Sequence, residues 1–363
     1  MFNRYFSEFR HCLRALHARV CEPRGDGISS VAHLLDNVLL RVSVWIMAVV
    51  ACCGNLSVLL GRLIIREPNV VHSLFIKNLA VSDFLMGIYL IIIAVNDIKY
   101  REVYIKYEFE WRHSWQCSLA GFLSTLSCEA SVLIVTIITL DRYFSIVRPL
   151  MVRKRSKKFA WTLLSFVWFA AFVFSFLPLL PIAYFGDEYY GSNGVCIPFH
   201  IHNPFSEGWE YSLLIFCVVN TINFVFVLFA YLHMFVTISK SASGLRICSL
   251  YQHDRVITKR FAFIVGFQFI CWIPIMIIKF IALAGINIDE SLYAWLAIFL
   301  LPVNSALNPV LYTLTTRLFK QQFSKFVYSW RSTPSMTMEP LQSNANRNLS
   351  LRNNVNSLSD HTN

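Results

Sequence analysis

The sequence predicts an all-α membrane protein: a seven-transmembrane helix bundle followed by a short amphipathic helix on the inner leaflet. Three observations predict it. Hydrophobic residues make up 56% of the 363 and charged residues only 15%, against roughly 45 to 50% and about 25% in soluble domains. With 31 Phe and 9 Trp, one soluble core of this length would leave large apolar patches in water. The apolar residues fall into seven runs, each near the 20 or so residues that cross about 30 Å of hydrocarbon. Basic residues cluster in the gaps between the runs.

Taken in order, residues 1–41 precede the first run and form a hinge-like outer segment. They contain Cys12 and Cys21, which either pair or stay as two thiols, and no apolar stretch of signal-peptide type, so the first span is expected to direct insertion. The bundle occupies 42–314, with spans of approximately Val42 to Ile65, Ser73 to Val95, Cys117 to Val147, Ala160 to Tyr184, Tyr211 to Ile238, Lys259 to Ala284 and Tyr293 to Leu314. Pro178, Pro181, Pro274 and Pro309 fall inside spans, which is compatible with helix where neighbours satisfy the freed carbonyls. Across 315–330, basic residues alternate with Leu318, Phe319, Phe323, Phe326 and Val327 at helical spacing, an amphipathic helix in contact with lipid. From 331 to 363 Ser, Thr and Asn dominate, a disordered cytosolic tail with candidate phosphorylation sites.

Lys and Arg exceed Asp and Glu by 32 to 21, a net charge of +11. Their confinement to the gaps argues for a membrane orientation signal and against nucleic acid. Twenty lie in the gaps after spans 1, 3 and 5, at the span ends that border them and in the tail, against ten on the other side. This asymmetry puts the N-terminus outside and the C-terminus in the cytosol, although five Arg before Gly25 pull the other way. The ten Cys show no paired zinc-ligand spacing, no catalytic constellation is visible, and no internal repeat supports a transporter built on inverted halves.

Polar residues at membrane depth mark candidate sites, because unpaired polar groups are costly in hydrocarbon. Asp83 lies ten residues into span 2, about 15 Å deep. Ser131 on span 3, Asn304, Ser305 and Asn308 on span 7 and Asn55 on span 1 fall at comparable depth. One acid among neutral oxygen donors makes either a cage for Na⁺ with waters or a water-filled polar network; no other cofactor is indicated. At the inner end of span 3, Arg142 either pairs with Asp141 or with Asp254 at the start of span 6, latching two helices, or snorkels to the interface. Cys117 and Cys196 both fall on the oxidising side, where a disulfide would pin the loop before span 5 over the bundle. Trp272 beside Pro274 in span 6, and Pro309 in span 7, suggest hinges. Glu129 is either neutral and hydrogen-bonded or lines a pocket, and Lys77 and Lys279, near span ends, are expected to snorkel.

Over Arg41 to Tyr328 these residues, in this order, resemble the rhodopsin-like (class A) G protein-coupled receptors. The matching motifs are Gly54-Asn55, Leu79-Ala80-Val81-Ser82-Asp83, Asp141-Arg142-Tyr143, Trp168, Cys271-Trp272-Ile273-Pro274, and Asn308-Pro309-Val310-Leu311-Tyr312 followed by Phe319. Asp26-Gly27-Ile28-Ser29-Ser30, Met86 to Leu90, Tyr189 to Cys196 and Pro302 to Arg317 look like the relaxin-receptor branch of the leucine-rich-repeat receptors. The resemblance implies a plasma-membrane receptor for a relaxin- or insulin-like peptide hormone, acting through a heterotrimeric G protein with cAMP output. Arrestin and receptor kinases would meet its tail. It also implies that Arg142 contacts the G protein once freed from Asp141 and Asp254, that Tyr231 and Tyr312 support the open state, and that Trp272 reports pocket occupancy.

The sequence departs from that branch in three places. Only 41 residues precede Val42 and they hold no leucine-rich repeat, so they look like the hinge that would join such an ectodomain to the bundle. Gln268 stands where the branch tends to have an acid, and Asn223 where most class A receptors have proline. Two rival readings follow: a truncated receptor with a constitutive or regulatory role, and a transporter or channel using Asp83 and Glu129 as an ion path.

Overall fold

A computed structural model describes residues 28–64, 69–148, 156–186, 189–199, 205–242, 249–286, 292 and 295–315. Every regular element among them is helical. Six helices are long and apolar enough to cross a membrane: Val38–Ile64, Val70–Lys99, Trp115–Val147, Lys157–Leu179, Trp209–Lys240 and Phe261–Leu283. A shorter apolar helix, Leu296–Leu311, is the seventh member of the bundle. The expected amphipathic helix, the tail and the Cys12 and Cys21 pair lie outside the described residues.

Helix starts follow capping chemistry. Asn69, Ser114 and Ser156 each accept a backbone N–H of the following turn through the side chain, from His72, Cys117 and Lys158 respectively. Span 3 is the axis of the bundle: 78% of its apolar window is buried, against 28% for spans 1 and 4, whose outer faces are left for lipid. Close approach at two places requires glycine. A Cβ on Gly54 would lie 2.9 Å from Pro309 Cγ of span 7, and one on Gly87 would lie 2.5 Å from Cys52 Sγ of span 1.

Two expectations about the elements are corrected. The helix of span 4 stops at Phe176 rather than Tyr184, and Leu177–Leu179 forms a single 3₁₀ turn. Pro178 has no N–H for the carbonyl of Phe174, and that carbonyl instead accepts the Tyr211 hydroxyl of span 5 at 3.0 Å. Span 5 starts at Trp209 and contains a π turn over Leu214–Val219, so residues after it are rotated relative to an unbroken helix. Between spans 2 and 3 the chain forms a nine-residue helix, Tyr104–Arg112. By contrast Pro274 and Pro309 sit inside continuous helices, as anticipated.

Most of the buried apolar residues form two large clusters stacked along the bundle, and a third, small one holds Phe185, Tyr189 and Tyr190. Of the large ones, one holds Tyr89, Trp111, Val195, Phe216, Trp272 and Ile298 at the disulfide end. The other holds Leu79, Ile134, Ile138, Tyr231, Phe261 and Ile264 toward the Arg142 end. Phe269 packs against both, one turn before Trp272 and five residues before Pro274. A small cavity bounded by Val132, Thr136, Phe224, Val265, Gln268 and Phe269 lies at this waist, between spans 3, 5 and 6.

Candidate functional site

The disulfide end is closed by its own loop. Cys117, in the first turn of span 3, is bonded to Cys196, as expected from the sequence. The bond draws Val195, Cys196, Ile197 and Phe199 into the bundle, each at most 3% exposed. Carbonyls of the loop accept from every side: Val195 from Tyr89 Oη of span 2 at 3.0 Å, Gly194 from Trp111 Nε1 at 2.8 Å, Pro198 from Ser212 Oγ of span 5 and Phe199 from Lys279 Nζ of span 6, both at 2.5 Å. Lys279 therefore does not snorkel; it is 3% exposed and turned inward to the loop. Tyr190 leads the loop in and donates to the carbonyl of Ser175 at 2.6 Å, and burial pushes its phenol up from the usual range.

Sequence reasoning placed this loop over the bundle but missed its insertion as a plug. Its signal was the motif Tyr189 to Cys196, whose Gly191 and Gly194 are necessary because a Cβ there would strike the Arg112 carbonyl at 2.4 Å and Ser29 Oγ at 2.3 Å. Ser29 belongs to the segment before span 1, which also docks here. Ile28, Leu34 and Leu35 are buried, the Leu35 N–H donates to Asp97 Oδ1 at 3.0 Å, and Ile105 N–H donates to the Val31 carbonyl at 3.0 Å. From the plug an aromatic path leads inward: Phe199 meets Phe216 edge-on at 4.8 Å, and Phe216 stacks toward Trp272 at 6.4 Å between centroids. Trp272 is 2% exposed beside Pro274.

Midway, the predicted polar cluster assembles. Asn308 Nδ2 donates to Asp83 Oδ2 at 2.8 Å, and Asn55 Nδ2 donates to the Ser305 carbonyl at 3.0 Å. Asp83 is fully buried, and Ser131, Asn304, Ser305 and Asn308 are buried with it. Asp83 Oδ1, Asn55 Oδ1, Asn308 Oδ1 and Ser131 Oγ have no hydrogen-bond partner among the described residues. A buried carboxylate oxygen and neutral oxygens left unsatisfied are the donor set a hard cation takes, so these residues fit Na⁺. Glu129, two residues before Ser131 on span 3, is also fully buried with both oxygens unpaired, and its polar neighbour is Asn220 at the end of the π turn.

At the other end Arg142 is 2% exposed and turned onto its neighbour, with Nη2 2.6 Å and Nε 3.1 Å from Asp141 Oδ2. It does not snorkel. Tyr231 lies against Thr139 and Arg142, buried, with its hydroxyl unspent. The Tyr143 hydroxyl is 2.9 Å from His233 Nδ1 of span 5. Trp168 Nε1 donates to Asn78 Oδ1 at 2.9 Å, joining spans 4 and 2. The side chains of Asp254 and Tyr312 lie outside the described residues.

A helical bundle with a loop plugged into one end, a polar centre and a sequestered arginine at the other is the architecture of a membrane receptor. Residues 54–312 match the family described as 7 transmembrane receptor (rhodopsin family), and the chain belongs to that family, whose members are receptors and not enzymes. Among curated relatives it is 41% identical to relaxin receptor 1 of Homo sapiens over 92% of this chain and 44% of that one. It is 41% identical to relaxin receptor 2 of Homo sapiens over 89% of this chain and 43% of that one. To the G-protein coupled receptor GRL101 of Lymnaea stagnalis it is 42% identical, over 86% of this chain and 28% of that one. The chain thus spans less than half the length of these relatives.

Proposed function

We propose that the chain is the transducing bundle of a relaxin- or insulin-like peptide receptor in the plasma membrane, with residues 1–41 outside and the tail in the cytosol. Signal passes to a heterotrimeric G protein, the stimulatory type that raises cAMP, at the Arg142 end. The carrying observation is Arg142 itself, a buried guanidinium held by Asp141 beside the unspent hydroxyl of Tyr231. Such a cation is stable only while its partner stays, so separating spans 3, 5 and 6 releases a charged donor into the opening cavity. Peptide capture would act on the plug, since Val195 to Phe199 fill the space above Trp272. Movement of Phe199 passes through Phe216 to Trp272 and the Pro274 hinge, biasing the closed and open states.

Na⁺ at Asp83 would favour the closed state by tying spans 2, 3 and 7 together. Receptor kinases and arrestin would act at the Ser- and Thr-bearing tail. The test is cAMP in cells expressing the chain, with and without relaxin-family peptides, beside Arg142→Ala at matched surface level. Arg142→Ala is expected to abolish nucleotide exchange; unchanged exchange would remove the coupling role.

A further inference from the structure

Consecutive residues on a helix point about 100° apart, and residues two apart about 200°. Arg142 and Tyr143 therefore leave span 3 in different directions, as do Tyr231 and His233 on span 5. The core receives one member of each pair: Tyr231, 5% exposed, lies against Thr139 and Arg142. The flank receives the other: the Tyr143 hydroxyl and His233 Nδ1 are hydrogen-bonded at 2.9 Å, the tautomer of the imidazole deciding which of the two donates. The imidazole is further fixed by the Tyr143 ring, 5.6 Å between centroids, and by Phe229 one turn earlier on its own helix, stacked at 6.0 Å and 25°.

The two pairs share the same two helices and compete. A rotation of span 5 that carries the free Tyr231 hydroxyl onto a released Arg142 swings His233 away from Tyr143. We propose that the Tyr143–His233 hydrogen bond is a brake that holds span 5 in the closed arrangement, with His233 as a positioning residue acting through Tyr143. This rests on the reading that the Arg142 end receives the G protein. No motif of the sequence contains His233, which is why the pattern around Asp141-Arg142-Tyr143 alone could not show the brake.

The test is a double-mutant cycle on basal nucleotide exchange, with receptor in nanodiscs and a stimulatory G protein. Tyr143→Phe and His233→Phe each remove one side of the bond and keep the ring. Each is expected to raise basal exchange about three- to tenfold, the range for one hydrogen bond's share of a two-state equilibrium. The double variant is expected to rise no further than either single, the mark of a shared interaction. His233→Asn places an acceptor oxygen near the position of Nδ1 and is expected to return exchange toward the parent value. Singles that multiply in the double variant would overturn the brake.

A second arm needs no G protein. Spin labels at lipid-exposed Phe144 and Val236, with Cys52 and Cys53 and with Cys12, Cys21 and Cys248 replaced by Ser, report the separation of spans 3 and 5. Both Phe variants are expected to populate a wider separation and His233→Asn to reverse it. If Arg142→Ala leaves exchange intact, the coupling reading fails and the label distances alone decide the brake. If Arg142→Ala abolishes exchange while the Phe variants match the parent in both arms, the brake fails and the coupling reading stands.

Discussion

The two ends of this bundle are tied by different kinds of bond. At the disulfide end, side chains from spans 2, 5 and 6 and from the Tyr104–Arg112 helix donate to backbone carbonyls of one loop, and a covalent bond anchors it to span 3. Near Arg142, among the described residues, Tyr143–His233 and Trp168–Asn78 join side chain to side chain, and Arg142 turns to its own neighbour Asp141. A carbonyl cannot leave without moving its chain, whereas a side chain exchanges partners by changing rotamer within nanoseconds. One end is built to transmit displacement as a body, the other to change partners. The two apolar clusters meet at Phe269 and the small cavity by Gln268, which is where a hinge needs room.

On that contrast, cutting the loop's anchor is the most damaging change. Cys117→Ser or Cys196→Ser releases a bond spanning 79 residues of sequence, and loss of such a native bridge costs about 2 to 5 kcal/mol. The expected outcome is a strong fall in folded receptor at the cell surface, read by flow cytometry with an outer tag. A double serine variant that reaches the surface and melts like the parent would remove the anchor from the comparison.

A smaller blow at the same end is steric. A Cβ on Gly121 of span 3 would lie 2.2 Å from Tyr190 Cδ1 and 2.7 Å from the Cys196 carbonyl oxygen. Both belong to the anchored loop, so neither can yield without shifting the plug. Gly121→Ala is expected to destabilise by about 1 to 3 kcal/mol, the usual range for overpacking. Gly266→Ala, on span 6 with nothing within 4 Å of its Cβ, is expected to be neutral or to gain up to about 1 kcal/mol from helix propensity. Equal melting temperatures for the two variants would mean that the plug is softer than its carbonyl bonds suggest.

The same contrast explains what the sequence reveals. Hydrophobic runs fix the spans because lipid permits few alternatives to a closed helix, and Asp83, Asn308, Arg142 and the disulfide pair stand out because such residues are rare at their depth. Pro178 is harder to read: a proline is compatible with a continuing helix, and only Tyr211, 37 residues after Phe174 in sequence, shows that the Phe174 carbonyl is the one freed and capped. Lys279 follows the same rule, since a lysine near a span end normally reaches water, and its turn inward depends on the Phe199 carbonyl lying within reach. Bonds that end on backbone carry no residue type at the acceptor, so the plug leaves little trace in composition or periodicity.

The smallest expected effect lies between the two ends. Asn308 Nδ2 donates to Asp83 Oδ2, and an asparagine at 83 would still offer that acceptor while losing the charge. Asp83→Asn therefore separates the ion from the hydrogen bond. At a Na⁺ concentration ten times its dissociation constant, binding to the folded state alone adds about 1.4 kcal/mol. The parent is expected to melt a few degrees higher in NaCl than in choline chloride of equal ionic strength, and Asp83→Asn to melt alike in both. A parent indifferent to Na⁺ would leave Asp83 Oδ1 and Ser131 Oγ to water. A variant that keeps the Na⁺ response would move the ion to Glu129, whose carboxylate oxygens are also without a hydrogen bond among the described residues. Because Asp83 touches span 7 and not the plug, the loss is expected to leave the Cys117–Cys196 end unchanged in hydrogen exchange. Protection that falls there as well would mean that the disulfide end and the polar centre open as one unit.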